Sequence, residues 1–204
     1  MTENGYEYVD LCLPSKTMWA TCNVGADKPE DEGLLFQFGR VDGYRFGHIN
    51  NKFRLNKQNK QDTGSESIPV TTSGKIYKKN EILDLEDDAA HVNMGGKWRM
   101  PTKDELKELV DNTTHRVETI NGVKGMLFTS KINSNKLFIP FIQGSWWNGN
   151  WNDWGRSDAY VWSSQVHPSN VNDAYTLYCY SGGHADIDYN TRFYAFSVRG
   201  VFNK

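Results

Sequence analysis

The sequence predicts an α+β fold whose C-terminal half is mostly antiparallel sheet. Three observations carry this. PTKDELKELVDN (101–112) reads as a helix, because Thr102 followed by Glu105 fits a capping box and Leu106, Leu109 and Val110 make one apolar face. Short runs of β-forming residues, punctuated by Gly, Asn and Pro, lie on both sides of it. The apolar content is weighted towards rings, with 7 Trp, 10 Tyr and 10 Phe in 204 residues, which suits sheets and wet recognition surfaces better than a helical bundle.

In chain order, YEYVDLCLPSKTMWATCNVGA (6–26) reads as short strands broken at Pro14-Ser15, and PEDEGLLFQFG (29–39) as a short helix or turn entering an apolar strand. From about 45 to 79 the chain turns polar, with few apolar anchors, and is expected to form a surface insertion. DLEDDAAHVNMGG (84–96) predicts a short helix capped at Gly95-Gly96. Its run of Asp84, Glu86, Asp87 and Asp88 reads as a helix N-terminus favoured by the dipole. VETINGVKGMLFTS (117–130) turns at Asn121-Gly122, and KLFIPFIQG (136–144), AYVWSSQ (159–165), AYTLYCYSG (174–182) and RFYAFSVRGVF (192–202) are strand-like. Seven or eight short strands and two helices in a single domain, 1–204, are expected. Trp98 is assigned to the core, and Arg99 to loop carbonyls or a carboxylate.

Between those strands, GSWWNGNWNDWG (144–155) places four tryptophans among Gly, Asn, Asp and Ser, and reads as a loop. Either its rings pack beneath it, or they meet a partner, for which Trp offers large rigid area. The expected split is Trp147 and Trp151 outward, Trp146 and Trp154 inward. In AYTLYCY, Tyr175, Leu177 and Cys179 share one face, assigned to the core, and Thr176, Tyr178 and Tyr180 share the other. That second face would lie beside GGHADIDYN (182–190), in a Tyr, Ser, Gly and Asn mixture typical of adaptable paratopes.

Bulk properties exclude several function classes. A net charge of −2 and a basic cluster confined to a polar stretch argue against nucleic acid. No apolar run approaches ~18 residues, so membrane insertion is not expected. MTENGYEYVDL has neither a basic nor an apolar leader region, so assembly in the cytoplasm is expected unless a leader has been removed. Cys12, Cys22 and Cys179 give neither a disulfide framework nor a zinc site; Cys12 and Cys22 either pair or remain as free buried thiols.

WATCNVGA (19–26), LEDDAA (85–90), GGKWRMPTKDEL (95–106), LFIPFIQG (137–144), YVWSSQ (160–165), AYTLYCYSG (174–182) and FSVRGVF (196–202) occur in an order that resembles the Fibrobacter succinogenes major paralogous domain. The resemblance spans about Tyr8 to Phe202. It implies a C-type-lectin-like fold, with two short helices and small sheets supporting long irregular loops. It also implies similarity to variable proteins of diversity-generating retroelements in Bacteroides-type bacteria and their phages.

The expectation is therefore a non-enzymatic recognition module on a virion or cell surface, binding a cell-surface glycan or protein. Its candidate ligand-binding residues are Trp147, Asn148, Asn150, Trp151, Asn152, Asp153, Tyr160, Tyr178, Tyr180, His184, Asp186, Tyr189, Asn190 and Tyr194. The alternatives are an oligomerisation domain buried against itself or other virion subunits, and an enzyme similar to formylglycine-generating enzymes. The latter would need a second thiol near Cys179; His167 with Asp173 and His184 with Asp186 would be acid–base pairs without a nucleophile motif. No cofactor is expected. The alternative, calcium, would draw on Asn152, Asp153, Asp158, Asn172 and Asp173, because calcium needs 6–8 converging oxygens; no Glu-Pro-Asn-like partner precedes Trp151-Asn152-Asp153.

Overall fold

Strands hold 47% of the residues and helices 11%, so sheet is the larger share of the expected α+β mixture. The computed structural model describes residues 1–46, 60–62, 67–147 and 150–204; the side chains of 60–62, 67–69, 146, 147, 150–152 and 154 lie outside that description.

The first sheet gathers both ends of the chain. β1 (Thr2–Glu3), β2 (Tyr6–Asp10), β3 (Thr17–Asn23) and β15 (Arg199–Asn203) run in the order β1-β2-β3-β15, with the break between β2 and β3 spanning Pro14-Ser15 as expected. A second sheet joins β4 (Leu35–Gln37), β10 (Ile142–Trp147), β11 (Asn150–Val166), β12 (Asp173–Tyr180), β13 (His184–Thr191) and β14 (Ala195–Ser197). Its pairings are antiparallel except for β11 with β14, which meet in parallel at Val161↔Ser197. β7 (Thr113–Ile120), β8 (Val123–Ser130) and β9 (Lys136–Pro140) form a third sheet, and β5 (Lys60–Asp62) pairs with β6 (Ser67–Pro69). Asn121 (φ 49°) and Gly122 (φ 84°) make the predicted tight turn between β7 and β8.

Two α-helices stand among the described residues. In α1 (Ala89–Met94), the Asp88 carboxylate accepts the His91 amide at 2.9 Å, and Gly95 (φ 67°) closes the C-terminus. α2 (Lys103–Asn112) has the full capping box between Thr102 and Glu105. Leu106 and Leu109 of α2 pack into a core with Met126, Phe128, Ile139, Val161, Leu177 and Cys179. A second core gathers Trp98, Phe36, Phe38, Tyr77, Trp162, Phe196 and Phe202 around α1. Trp98 is buried as expected, and Arg99 donates to both Glu105 oxygens at 2.6 and 2.7 Å and to the Met100 carbonyl at 3.1 Å. Arg199, fully buried, donates to the Ala20 carbonyl of β3 and the Phe138 carbonyl of β9, both at 3.0 Å. One guanidinium thus ties two sheets together, with burial lowering its pKa to about 10.

Several expectations need correction. The structure has fifteen strands among the described residues, not seven or eight, because it adds short strands and three polar ones. GSWWNGNWNDWG is not a loop throughout: β10 and β11 pair through it, Trp146 opposite Trp151 and Trp147 opposite Asn150. Backbone pairing there replaces the packing that a free loop would need. GGHADIDYN contains β13, whose Ala185 and Ile187 alternate with Asp186 and Asp188. Within the polar insertion, Thr71 and Tyr77 are buried, and Tyr77 donates its hydroxyl to Asp87 at 2.8 Å. Asp87, also fully buried, accepts the Ser73 amide at 2.7 Å and the Ser73 hydroxyl at 2.6 Å, so its part of the acidic run anchors the insertion's end. All three cysteines are free, and Cys12 is exposed, so it is neither paired nor buried.

Candidate functional site: a face of tyrosines and carboxylates

Register decides which side chains of β11, β12 and β13 share a face, since directly opposed residues project together and faces alternate along each strand. One face carries Val161, Leu177, Cys179 and Ala185, all buried against α2. Leu177 and Cys179 therefore fulfil their core assignment, whereas Tyr175 on the same face is half-buried. The opposite face is laid out in three rows: Asp158, Tyr180, His184; Tyr160, Tyr178, Asp186; Trp162, Thr176, Asp188. Thr176 belongs to this face as expected but is buried rather than displayed.

A column of rings runs from the core to this surface. Trp162, fully buried, donates its indole N–H to the Phe36 carbonyl at 2.8 Å and packs on Phe196 with ring centroids 4.8 Å apart. Phe196 stacks on Tyr160 (4.6 Å, 13°) and on Tyr194 (5.2 Å, 10°), and Tyr160 stacks on Tyr178 (4.9 Å, 28°). Such stacks fix ring positions beyond what area burial alone achieves. Tyr180, on the same face two residues beyond Tyr178, is 46% exposed. Its ring lies over Gly182, where a Cβ would come within 2.5 Å of it, and Gly183 (φ 92°) then turns the chain into β13.

The Tyr160 and Tyr178 hydroxyls are hydrogen-bond donors at neutral pH. The Tyr178 pKa is pushed up to about 12 by burial and by its 3.0 Å hydrogen bond to Asp158. Tyr160 is raised further by burial, then by Tyr178, Asp158 and Asp188. Ser157 donates to the other Asp158 oxygen at 2.6 Å. Asp186 and Asp188 are exposed, each accepting the amide of the next residue at 2.7 and 2.8 Å.

Six of the predicted residues converge here: Tyr160, Tyr178, Tyr180, His184, Asp186 and Asn190, the last donating to Thr176 at 3.2 Å. Tyr194 joins them through Phe196. Tyr189 does not, because it lies on the reverse face opposite Tyr175, with its ring 4.4 Å from His167. Asp153 sits apart on the β10–β11 hairpin, exposed, accepting the Gly155 amide at 2.8 Å and the Gln143 amide group at 2.6 Å. Those two bonds hold its carboxyl below the usual range. Asn148 and the side chains of Trp147, Asn150, Trp151 and Asn152 lie outside the described residues, as does the inward or outward split of the four tryptophans. Asp188 and the hub Phe196 were missed; the alternation of Ala185, Ile187 with Asp186, Asp188 is the signal that would have found Asp188.

Two carboxylates of the calcium set do not converge. Asp158 faces Tyr180 at one end of β12 while Asp173 begins the other, ~23 Å away at ~3.3 Å per residue. No group of three or more His, Cys, Asp or Glu with metal-binding geometry occurs among the described residues. His167 Nδ1 faces the amides of Ser169 and Asn170, each at 3.3 Å, while the Asp173 carboxylate takes the Asn170 side chain at 2.7 Å. The Cys179 thiol, fully buried, is pushed well above its ordinary pKa by desolvation, the opposite of what a nucleophile needs. Comparison with protein-family models, curated proteins and solved structures returns no match.

Proposed function

We propose that the protein is a non-enzymatic recognition module of C-type-lectin-like fold, presenting the face of β11–β13 and the neighbouring β10–β11 hairpin to a glycan or protein on a cell surface. The setting that fits the sequence resemblance is a phage virion or a retroelement-diversified variable protein of Bacteroides-type bacteria. The observation that carries this reading is the ring column Trp162–Phe196–Tyr160–Tyr178, with Tyr180 standing 46% exposed on the same face. Rings held from below on a hydrogen-bonded sheet lose little entropy when a partner covers them, which is how aromatic hot spots bind.

The test is adsorption of the fluorescently labelled chain to Bacteroides-type cells, read by flow cytometry, with self-association followed by sedimentation. Tyr178→Ala/Tyr180→Ala is expected to weaken adsorption about 10- to 100-fold while the chain stays folded. Unchanged adsorption sinks the reading. Loss of an oligomer with adsorption intact replaces it with an assembly role.

A further inference from the structure

The recognition face has a charge bias that specifies its partner. Lys and Arg number 23 in 204 residues, yet none falls between Arg156 and Arg192, the stretch that builds this face. Half-buried Asp158 on β11 and exposed Asp186 and Asp188 on β13 flank the central column of half-buried Tyr178 and exposed Tyr180, so carboxylates border these rings on both sides. Asp186 and Asp188 are exposed and two residues apart, ~7 Å along the strand. Lys107 of α2 is held by Asp111 at 2.5 Å.

Resting on the recognition reading above, we propose that the partner is a protein whose contact segment is basic, placing Lys or Arg side chains over the Tyr178 and Tyr180 rings and between Asp158, Asp186 and Asp188. A guanidinium or ammonium satisfies both elements at once, since ring faces attract cations and carboxylates pair with them. A sulfated or sialylated glycan or a nucleic acid would be repelled by the same carboxylates, and a neutral glycan would leave them uncompensated.

The probe is a fluorescein-labelled hexa-arginine peptide, followed by anisotropy with the full chain. Asp186→Asn/Asp188→Asn keeps the oxygens that accept the Ile187 and Tyr189 amides, so the strand is preserved. It is expected to weaken peptide binding about tenfold, the order that two exposed ion pairs supply. Glu7→Gln/Glu86→Gln, which removes the same charge from exposed positions elsewhere, is expected to change it less than about twofold. Equal loss in both variants, no loss in either, or displacement of the peptide by maltohexaose overturns the proposal. Cell adsorption separates the two ideas. If Tyr178→Ala/Tyr180→Ala abolishes adsorption and Asp186→Asn/Asp188→Asn does not, recognition stands and the basic partner falls. If neither variant changes adsorption, both fall.

Discussion

Glu105 shows how much one side chain can organise. Its carboxylate accepts both Arg99 nitrogens, the Thr102 amide at 2.8 Å and the Thr17 hydroxyl at 3.1 Å, so it closes the α2 cap and joins it to β3. Burial alone would raise its pKa, but the bonds from Arg99 and Thr102 outweigh that and leave it depressed. A carboxyl depressed in the folded state contributes stability above its unfolded pKa of ~4.3, and loses it as pH falls through the lower folded value. Glu105→Gln is therefore expected to cost about 2 kcal/mol at neutral pH and to flatten the loss of stability below about pH 4, as measured by urea unfolding across pH. Half of this site was legible beforehand: the Thr102-x-x-Glu105 spacing marks the cap, but no pattern reveals that Arg99, six residues earlier, and Thr17, 88 residues earlier, share the same carboxylate.

Elements differ in how openly their sequences declare them. The β7–β8 turn was readable because Asn-Gly suits two successive positive φ values. The α2 helix was readable because its cap and apolar face agree. β13 was not, because the two glycines before it and its own two aspartates resemble a loop until its alternation is matched to β12. The tryptophan hairpin misled for the same reason, and its Gly155 and Arg156 (φ 62° and 58°) sit where one residue of β10, Gln143, is matched by four of β11, 154–157. Glycines within strands carry their own information. A Cβ on Gly125 of β8 would lie 2.4 Å from the Ile139 carbonyl of β9, whereas one on Gly122 meets nothing within 4 Å. Gly125→Ala is expected to cost about 2–4 kcal/mol by forcing β8 and β9 apart, and Gly122→Ala only about 1 kcal/mol of backbone strain; thermal unfolding separates the two.

At the level of the whole molecule, two cores lie around one large sheet, and the tyrosine face of β11–β13 opens where the core around Trp162 reaches the surface. The alternation in AYTLYCY made the shared face of Tyr178 and Tyr180 legible, as the register of β11–β13 shows. The carboxylates beside them became a single feature only through the pairing of three strands. Removing residues 199–204 deletes β15, and with it the Arg199 staple and the Val201–Arg99 bridge. The shortened chain is expected to lose its near-ultraviolet circular dichroism from the buried tryptophans, not merely to fray at one end.

That closing strand also sets a kinetic order. β15 pairs with β3 across the length of the chain, and the Arg199 bond to Ala20 spans 179 residues. Loop closure over such a distance comes late and slowly compared with local hairpins. During synthesis, α2 and the β7–β8 and β12–β13 hairpins can form as they emerge, but the sheet of β1, β2 and β3 waits for β15. A chain without β15 therefore keeps its local hairpins but loses the Arg199 tie between β3 and β9, so β15 acts as the latch of the fold.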